Sequence, residues 1–392
     1  MNRRRFLKHV ALATAAYPLV GHIEAFPADA GQKRQLLYTG TYTTGTDSEG
    51  IYIHYLDTRT GELSPHKITK GVTDPSFLAI NHKSNLLFAV NETLEYEGLK
   101  SGAVSAFLID KKTGELNFLN RQPSSGGAPC HISISGNGRF VLVANYVGGN
   151  ISVLPVENNG KLRTAVEVKQ HEGTGPNKER QEAAHAHSVD FDIRGRIVTA
   201  CDLGADKIFL YSFDDRSGKL LPNSAQPFFR TKPGAGPRHF ALHPNGKFAF
   251  VINELDSSIT VFNYDGIRRR LDEIQSITTL PANWSGENTC AELSLSPDGN
   301  FLYGSNRGHD SIVSYNIDQS TGKLSLVEHM PTQGRTPRHF IIDPTGSVLL
   351  VANQKSDSIV SFAIDRETGR LHSTGNKCTV PAPVCLRLIP TA

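Results

Sequence analysis

Residues 236–254 read GPRHFALHPNGKFAFVINE. In residues 238–243, Phe240 and Leu242 alternate with smaller or polar neighbours, a period-two pattern that predicts a strand. Pro244-Asn245-Gly246 supplies a turn, and residues 248–252 form a second apolar run. A tight antiparallel pair sets the start of its first strand beside the end of its second. Arg238 and Glu254 are therefore expected at the same end of one hairpin, although 16 residues separate them.

Laid over the rest of the chain without gaps, this stretch recurs. A Pro or small residue (Pro75, Pro129, Ala186, Pro237, Cys290, Pro337) is followed nine residues later by a turn residue (Ser84, Gly138, Gly195, Gly246, Gly299, Gly346). Seven residues further on stands Asn91, Asn145, Asp202, Asn253, Asn306 or Asn353. A polar loop and a third apolar run come next, as in residues 311–315 and 358–362. An Asp-x-x-Thr-Gly-x-Leu turn then leads into a fourth strand, at 57–63, 110–116, 318–324 and 365–371, and in modified form at 214–220. Four strands per copy, repeating every ~40–57 residues, are the signature of β-propeller blades. No helical period of useful length interrupts them.

The ends set the blade number. Residues 35–42 read as a second strand and 51–57 as a third, with no first strand ahead of them. Residues 383–390 read as a first strand with no second. The C-terminal segment is therefore expected to complete the N-terminal blade and close an all-β ring of seven blades, which removes open sheet edges.

The chain has 392 residues, 38% of them hydrophobic, enough for a large core. A net charge of +3 with both signs intermixed leaves no footprint for nucleic acid or an acidic membrane surface. Cys130, Cys201, Cys290, Cys378 and Cys385 form no CxxC and no metal-ligand spacing, so a disulfide framework is not expected. Cys378 and Cys385 remain one candidate bridge. Residues 3–8, Arg-Arg-Arg-Phe-Leu-Lys, resemble a twin-arginine export signal. A mild apolar stretch over 10–20 follows, too short to span a bilayer, and then Ala28-Asp29-Ala30, an A-x-A cleavage pattern. Residues 1–30 are thus expected to be an export signal read by the twin-arginine machinery. Residues 31–392 are expected to form the propeller, working in the periplasm or outside the cell.

Positions that the fold requires should be alike in every copy, and positions that function requires should differ. The Asn column is alike, which assigns it to structure, the side chain bonding local backbone at a strand end. The column after it varies: Glu92, Tyr146, Leu203, Glu254, Arg307, Gln354. So does the column after the first Pro: Ser76, Cys130, His187, Arg238, Ala291, Arg338. Both columns belong to one end of every hairpin, and the first strand of a propeller blade borders the central channel. His187, Arg238, Glu254 and Arg307, with Glu92, Tyr146 and Arg338, should therefore surround one mouth. Such a rim suits small polar anions or acid–base work. A neighbouring column, His131, His239, Glu292 and His339, is assigned to hydrogen bonding between blades. Arg338 shares Pro-Arg-His-Phe with Arg238, and bracing of an adjacent blade is its alternative role. His185 and His187 have the alternate spacing of a two-histidine metal pair, but no third ligand follows by spacing, so neither metal nor cofactor is expected. Insertions at 93–100 and 171–184 are expected to shape the mouth.

The Pro-Arg-His-Phe, His-Pro-Asn-Gly, Val-Ile-Asn-Glu, Ala-His-Ala-His-Ser and Ser-Asn-Arg-Gly strings resemble the seven-bladed lactonase family. That family includes propeller-type bacterial 6-phosphogluconolactonase and fungal carboxy-muconate lactonizing enzyme. The resemblance implies hydrolysis of a sugar lactone to its acid, the lactone being 6-phosphogluconolactone-like or an unphosphorylated aldonolactone. It implies a catalytic set of His187, Arg238, Glu254 and Arg307; the other residues of the mouth, Glu92, Tyr146, His185 and Arg338, are expected to hold the substrate. Glu254 or His187 would be the general base, Glu254 staying ionised among arginines and His187 titrating near neutral pH. A muconate-type lactonizing isomerase is the alternative enzyme, and a non-enzymatic propeller binding module the alternative class.

Overall fold

Each copy of the repeat folds into one antiparallel sheet, because short apolar runs joined by Gly- and Asp-containing turns pair with their sequence neighbours. The computed structural model describes residues 34–266 and 270–390; the expected export signal lies outside the described residues. Among those described, the strands form seven sheets. The unit quoted first becomes Pro237–Leu242 and Phe248–Asn253, followed by Ser258–Asp265 and Arg270–Thr278. Blades are numbered from the N-terminus, so this is blade 5. Blades 3, 4, 6 and 7 begin at Pro129, Ala186, Thr289 and Pro337, and blade 2 at Leu78. In blade 4 the outer strand is split, Lys219–Pro222 and Phe228–Arg230 both pairing with Lys207–Asp214.

The strand pattern follows burial. Phe248–Asn253 is buried along its whole length, as are its counterparts Phe140–Asn145 and Val348–Asn353. These strands read as continuous apolar runs because both faces are covered. The outermost strands, such as Arg270–Thr278, are largely exposed and polar. The core is a set of layers between neighbouring blades. Leu142 and Val153 meet Val198 and Tyr211 between blades 3 and 4, and Phe250 and Val261 meet Leu302 and Tyr315 between blades 5 and 6. Leu350 and Ile359 meet Leu37 and Leu386 between blades 7 and 1.

Ring closure is as the sequence predicts. Pro383–Pro390 is the innermost strand of blade 1 and pairs antiparallel with Arg34–Thr41, from Gln35 opposite Pro390 to Gly40 opposite Cys385. Cys385 also accepts the Leu78 N–H of blade 2 at 3.4 Å, so the last strand is locked on both sides. All five cysteines are free; Cys378 faces His54 Nε2 at 3.4 Å instead of Cys385.

Two repeated devices hold the blades together. In the Asp-x-x-Thr-Gly turn, Asp318 Oδ1 accepts the Ser320 and Thr321 N–H groups at 2.8 and 2.9 Å. Gly322 there has φ +72°, and a Cβ on it would collide with Phe248 of the neighbouring blade, so the turn needs glycine twice over. The Asn column reaches further than expected. Asn91, Asn145, Asn306 and Asn353 donate to the carbonyls of Thr73, Ser124, Thr279 and Thr332 at 2.6–3.1 Å. Those carbonyls lie 18–27 residues back, in or beside the connector from the preceding blade, so these four fasten their blades to the one before. Asn253 bonds Ser258 Oγ and Thr260 Oγ1 instead, and Asp202 Oδ1 accepts the His185 and Ala205 N–H groups. Among the described residues no helix is long and apolar enough to cross a membrane.

Candidate active site

The variable column after the first Pro has a backbone cause. In blades 3, 4, 5 and 7 the pairing of the two inner strands slips between Pro129 and His131, Ala186 and Ser188, Pro237 and His239, and Pro337 and His339. Blade 6 slips between Cys290 and Leu293. Cys130, His187, Arg238 and Arg338 are thus the unpaired residues of β-bulges. A bulge frees one residue from the ladder and re-aims its side chain. Here it lets side chains point into the mouth while the strand on either side keeps its packing.

Glu254 is the centre of the result. Arg238 Nε donates to its Oε2 at 3.0 Å, and Arg307 Nη2 lies 2.9 Å from the same oxygen. His187 Nε2 is 3.8 Å away from Oε2. Arg180 Nη2 donates to Oε1 at 2.6 Å. Arg238 and Arg307 are pinned by a second bond each, to the carbonyls of Ala291 (2.7 Å) and Cys290 (2.8 Å). Among the described residues, Arg238 Nη2 and Arg307 Nη1 have no protein hydrogen-bond partner, and Arg307 Nε is buried without one. The site therefore has guanidinium N–H groups to spare.

Charge follows from this geometry. Burial alone would raise the Glu254 pKa, but Arg307, Arg238 and Arg180 outweigh it and hold the carboxyl well below the usual range. Burial, then the Arg238 charge, push His187 far below its ordinary value. His187 is consequently neutral and does not titrate near pH 7, which corrects the expectation from its residue type. Burial pulls Arg307 down to about 10 against the attraction of Glu254.

Tyr146 and His185 form one wall. Tyr146 stacks on His185 with ring centroids 4.5 Å apart and meets the His187 ring edge-on. Tyr146 OH accepts from Arg180 at 3.2 Å. Both His185 nitrogens are engaged, Nδ1 with the Tyr146 carbonyl and Nε2 with Glu182, each at 3.0 Å. Among the described residues no group of three or more His, Cys, Asp or Glu is arranged to hold a metal ion. Arg180 escaped the sequence reading. It lies on the 171–184 insertion, which has no counterpart in other copies, so a comparison of repeats cannot single it out.

Glu92 and Arg338 belong to a separate cluster on the same rim. Glu92 accepts from Ser76 Oγ and from Tyr42 OH, the latter at 3.0 Å. Arg338 Nη2 donates to Tyr42 OH at 3.0 Å and its guanidinium lies 5.4 Å from the Tyr42 ring centre. Arg338 thus reaches across to Tyr42 of the blade 1 segment. Burial raises the Glu92 pKa, with Arg338 opposing.

Further along the channel, Glu292 bridges His239 Nδ1 and His339 Nε2, both at 3.0 Å. They line a cavity of about 220 Å³ with Phe77, His131, Asp190 and Arg387. Arg238 Nη1 lies 3.0 Å from His239 Nε2. A guanidinium can only donate, so Nε2 must accept and Nδ1–H must donate to Glu292. This neutral tautomer holds Arg238 from behind.

A family model described as "Lactonase, 7-bladed beta-propeller" matches residues 36–388. The 6-phosphogluconolactonase of Bacillus subtilis is 39% identical over 306 residues, covering 78% of this chain and 84% of its own. The 6-phosphogluconolactonase of Formosa agariphila is 33% identical over 320 residues, covering 78% and 86%. The solved structure of the periplasmic gluconolactonase of Pseudomonas aeruginosa superposes with a TM-score of 0.85 at 34% identity, covering 92% of this chain and 100% of that one. The closed ring, the repeat that builds it and these matches over nearly all of the propeller agree, and the chain belongs to the seven-bladed β-propeller lactonase family.

Proposed function

We propose that this protein is a carboxylic-ester hydrolase that opens a sugar lactone to its acid, with Glu254, Arg238, Arg307 and His187 as its reacting set. The observation that carries the assignment is the buried, ionised Glu254 flanked by arginines with unused N–H groups. Hydrolysis needs a base for a water proton and positive charge for the carbonyl oxygen. Glu254 takes the proton, and Arg238 Nη2 and Arg307 Nη1 receive the oxyanion, where fixed donors act without reorganising. As the tetrahedral intermediate collapses, the C–O bond of the ring breaks and the Glu254 proton passes to the ring oxygen. Neutral His187 offers Nε2 to a substrate hydroxyl without adding charge to the arginines, its Nδ1 facing Cys130 Sγ at 3.9 Å. The substrate is 6-phosphogluconolactone or an unphosphorylated aldonolactone, and Tyr146 and His185 form a wall for its ring. Proton release from both lactones tests this. Glu254→Gln and Arg307→Ala are each expected to lose ~100-fold or more in kcat/KM, the typical cost of one such group. Unchanged turnover by either variant refutes the assignment.

The protein acts outside the cytoplasm in this reading. The order of arginines, apolar stretch and Ala28-Asp29-Ala30 supports twin-arginine export of residues 31–392, and the resemblance to a periplasmic gluconolactonase supports the same compartment. Replacing Arg3, Arg4 and Arg5 by Lys should leave full-length protein in the cytoplasmic fraction; export at the wild-type level refutes the route.

A further inference from the structure

A carboxylate that must accept a proton is a poor base while three guanidiniums hold it. Arg238 and Arg307 share Oε2, whereas Oε1 is covered by Arg180 alone. A water bonded to Oε1 would occupy the place of Arg180 Nη2. We propose that Arg180 is an exchangeable cap on Glu254 that an anionic group of the substrate draws away, so that the site favours lactones bearing a carboxylate or phosphate. The proposal rests on Glu254 being the base.

The three arginines differ in how they are held. Arg238 and Arg307 extend from the inner strands of blades 5 and 6, and each is tied to a backbone carbonyl. The Arg180 side chain is 38% exposed and its other partner is the Tyr146 hydroxyl. Its backbone is fixed. The next residue, Gln181, is fully buried and donates to the Leu203 carbonyl at 2.8 Å, while its own N–H is held by Asn177 O at 2.8 Å. At the start of the insertion His171 is bound to Asp202 at 2.8 Å. Rotation of the Arg180 side chain alone suffices for the exchange, with no loop opening. The planar guanidinium fork suits carboxylate and phosphate oxygens. An anionic lactone replaces one ion pair by another, whereas a neutral lactone offers hydroxyls and must separate Arg180 from Glu254 uncompensated.

The test compares wild type, Arg180→Ala and Arg180→Lys on neutral glucono-1,5-lactone, a carboxylate-bearing glucarolactone and 6-phosphogluconolactone. Calorimetric binding of gluconate, glucarate and 6-phosphogluconate runs beside it. Wild type should prefer an anionic lactone over the neutral one, and a product with a second anionic group (glucarate or 6-phosphogluconate) over gluconate, and which one it prefers identifies the group that Arg180 takes. Arg180→Ala should lower kcat/KM and affinity for that member by ~10–100-fold, as loss of charge-assisted bonds implies. On the neutral lactone its kcat should rise, because Oε1 is uncovered. Arg180→Lys should recover part of the anionic preference. An equal fall on neutral and anionic compounds, or no anionic preference in wild type, overturns the cap. Failure of the underlying reading shows differently: Glu254→Gln would then turn over all three lactones normally.

Discussion

Glu254→Gln removes one negative charge and almost no volume, so its effect on stability reports the charge cluster directly. Two of the three guanidiniums, Arg238 and Arg307, remain largely buried with their counter-charge gone. Arg180 can relax into solvent and adds little. Removing one partner of a buried ion pair typically costs about 3–5 kcal/mol, mostly from the charge left behind. That range is the expected loss at pH 7, read from denaturant unfolding with equal m-values. The pH dependence has a fixed sign. The Glu254 pKa is lower folded than unfolded, so its contribution is complete above the unfolded value of about 4.3 and is lost as pH falls toward the folded one. The gap between wild type and variant should be flat from pH 8 to 5 and narrow below that. Glu92→Gln is the control. Glu92 accepts two hydroxyl donors, which the carbonyl oxygen of glutamine also accepts, and its burial already disfavours the charge. Its cost should stay within about 1 kcal/mol, the scale of one perturbed hydrogen bond. A Glu254→Gln loss no larger than that of Glu92→Gln, or a gap that widens in acid, would refute the account of the cluster.

Deleting residues 383–392 should expose the Arg34–Thr41 edge and unpack Leu386 and Leu388, giving an earlier, less cooperative melt with aggregation; a melt like that of the full chain argues against closure by this strand. With all five cysteines free, unfolded protein should titrate five thiols without reductant, while native protein reacts slowly, since only Cys378 is not buried; a count of three would reveal a bridge. Because His187 is held neutral and Glu254 ionised, kcat/KM should be flat between pH 5.5 and 8; an acid limb near 6.5 that His187→Gln abolishes would overturn the electrostatics of the mouth.

The fold was legible because a propeller writes the same physics in each blade. Turn residues at fixed offsets, apolar runs of strand length and an incomplete copy at each end sufficed for the seven-sheet ring and its closing strand. The Asn column was assigned to structure, and Asp202 does bond local backbone at Ala205, but Asn91, Asn145, Asn306 and Asn353 cross to carbonyls 18–27 residues back. A gapless register reveals which positions match; which connector lies over them is decided in three dimensions.

The site was legible where it is built on the repeat. Arg238, Glu254, Arg307 and His187 occupy variable positions of an otherwise uniform hairpin, and the structure brings all four together. What sequence could not supply was the slip in pairing that lifts His187 and Arg238 out of the ladder, because a bulge adds no residue that a gapless comparison would notice. His187 shows a second limit. Its pKa depends on burial and on a guanidinium from the next blade, neither of which its own neighbours in sequence disclose. Arg180 shows the third. It comes from an insertion with no counterpart, yet makes the shortest of the contacts to Glu254. Repeats make a site visible by contrast, and insertions fall outside that contrast. A residue that the repeat does not dictate is therefore the one placed over Oε1 of Glu254. If Arg180 is the exchangeable cap, a change of that one loop side chain alters the anionic preference while the bulged strands beneath it stay intact.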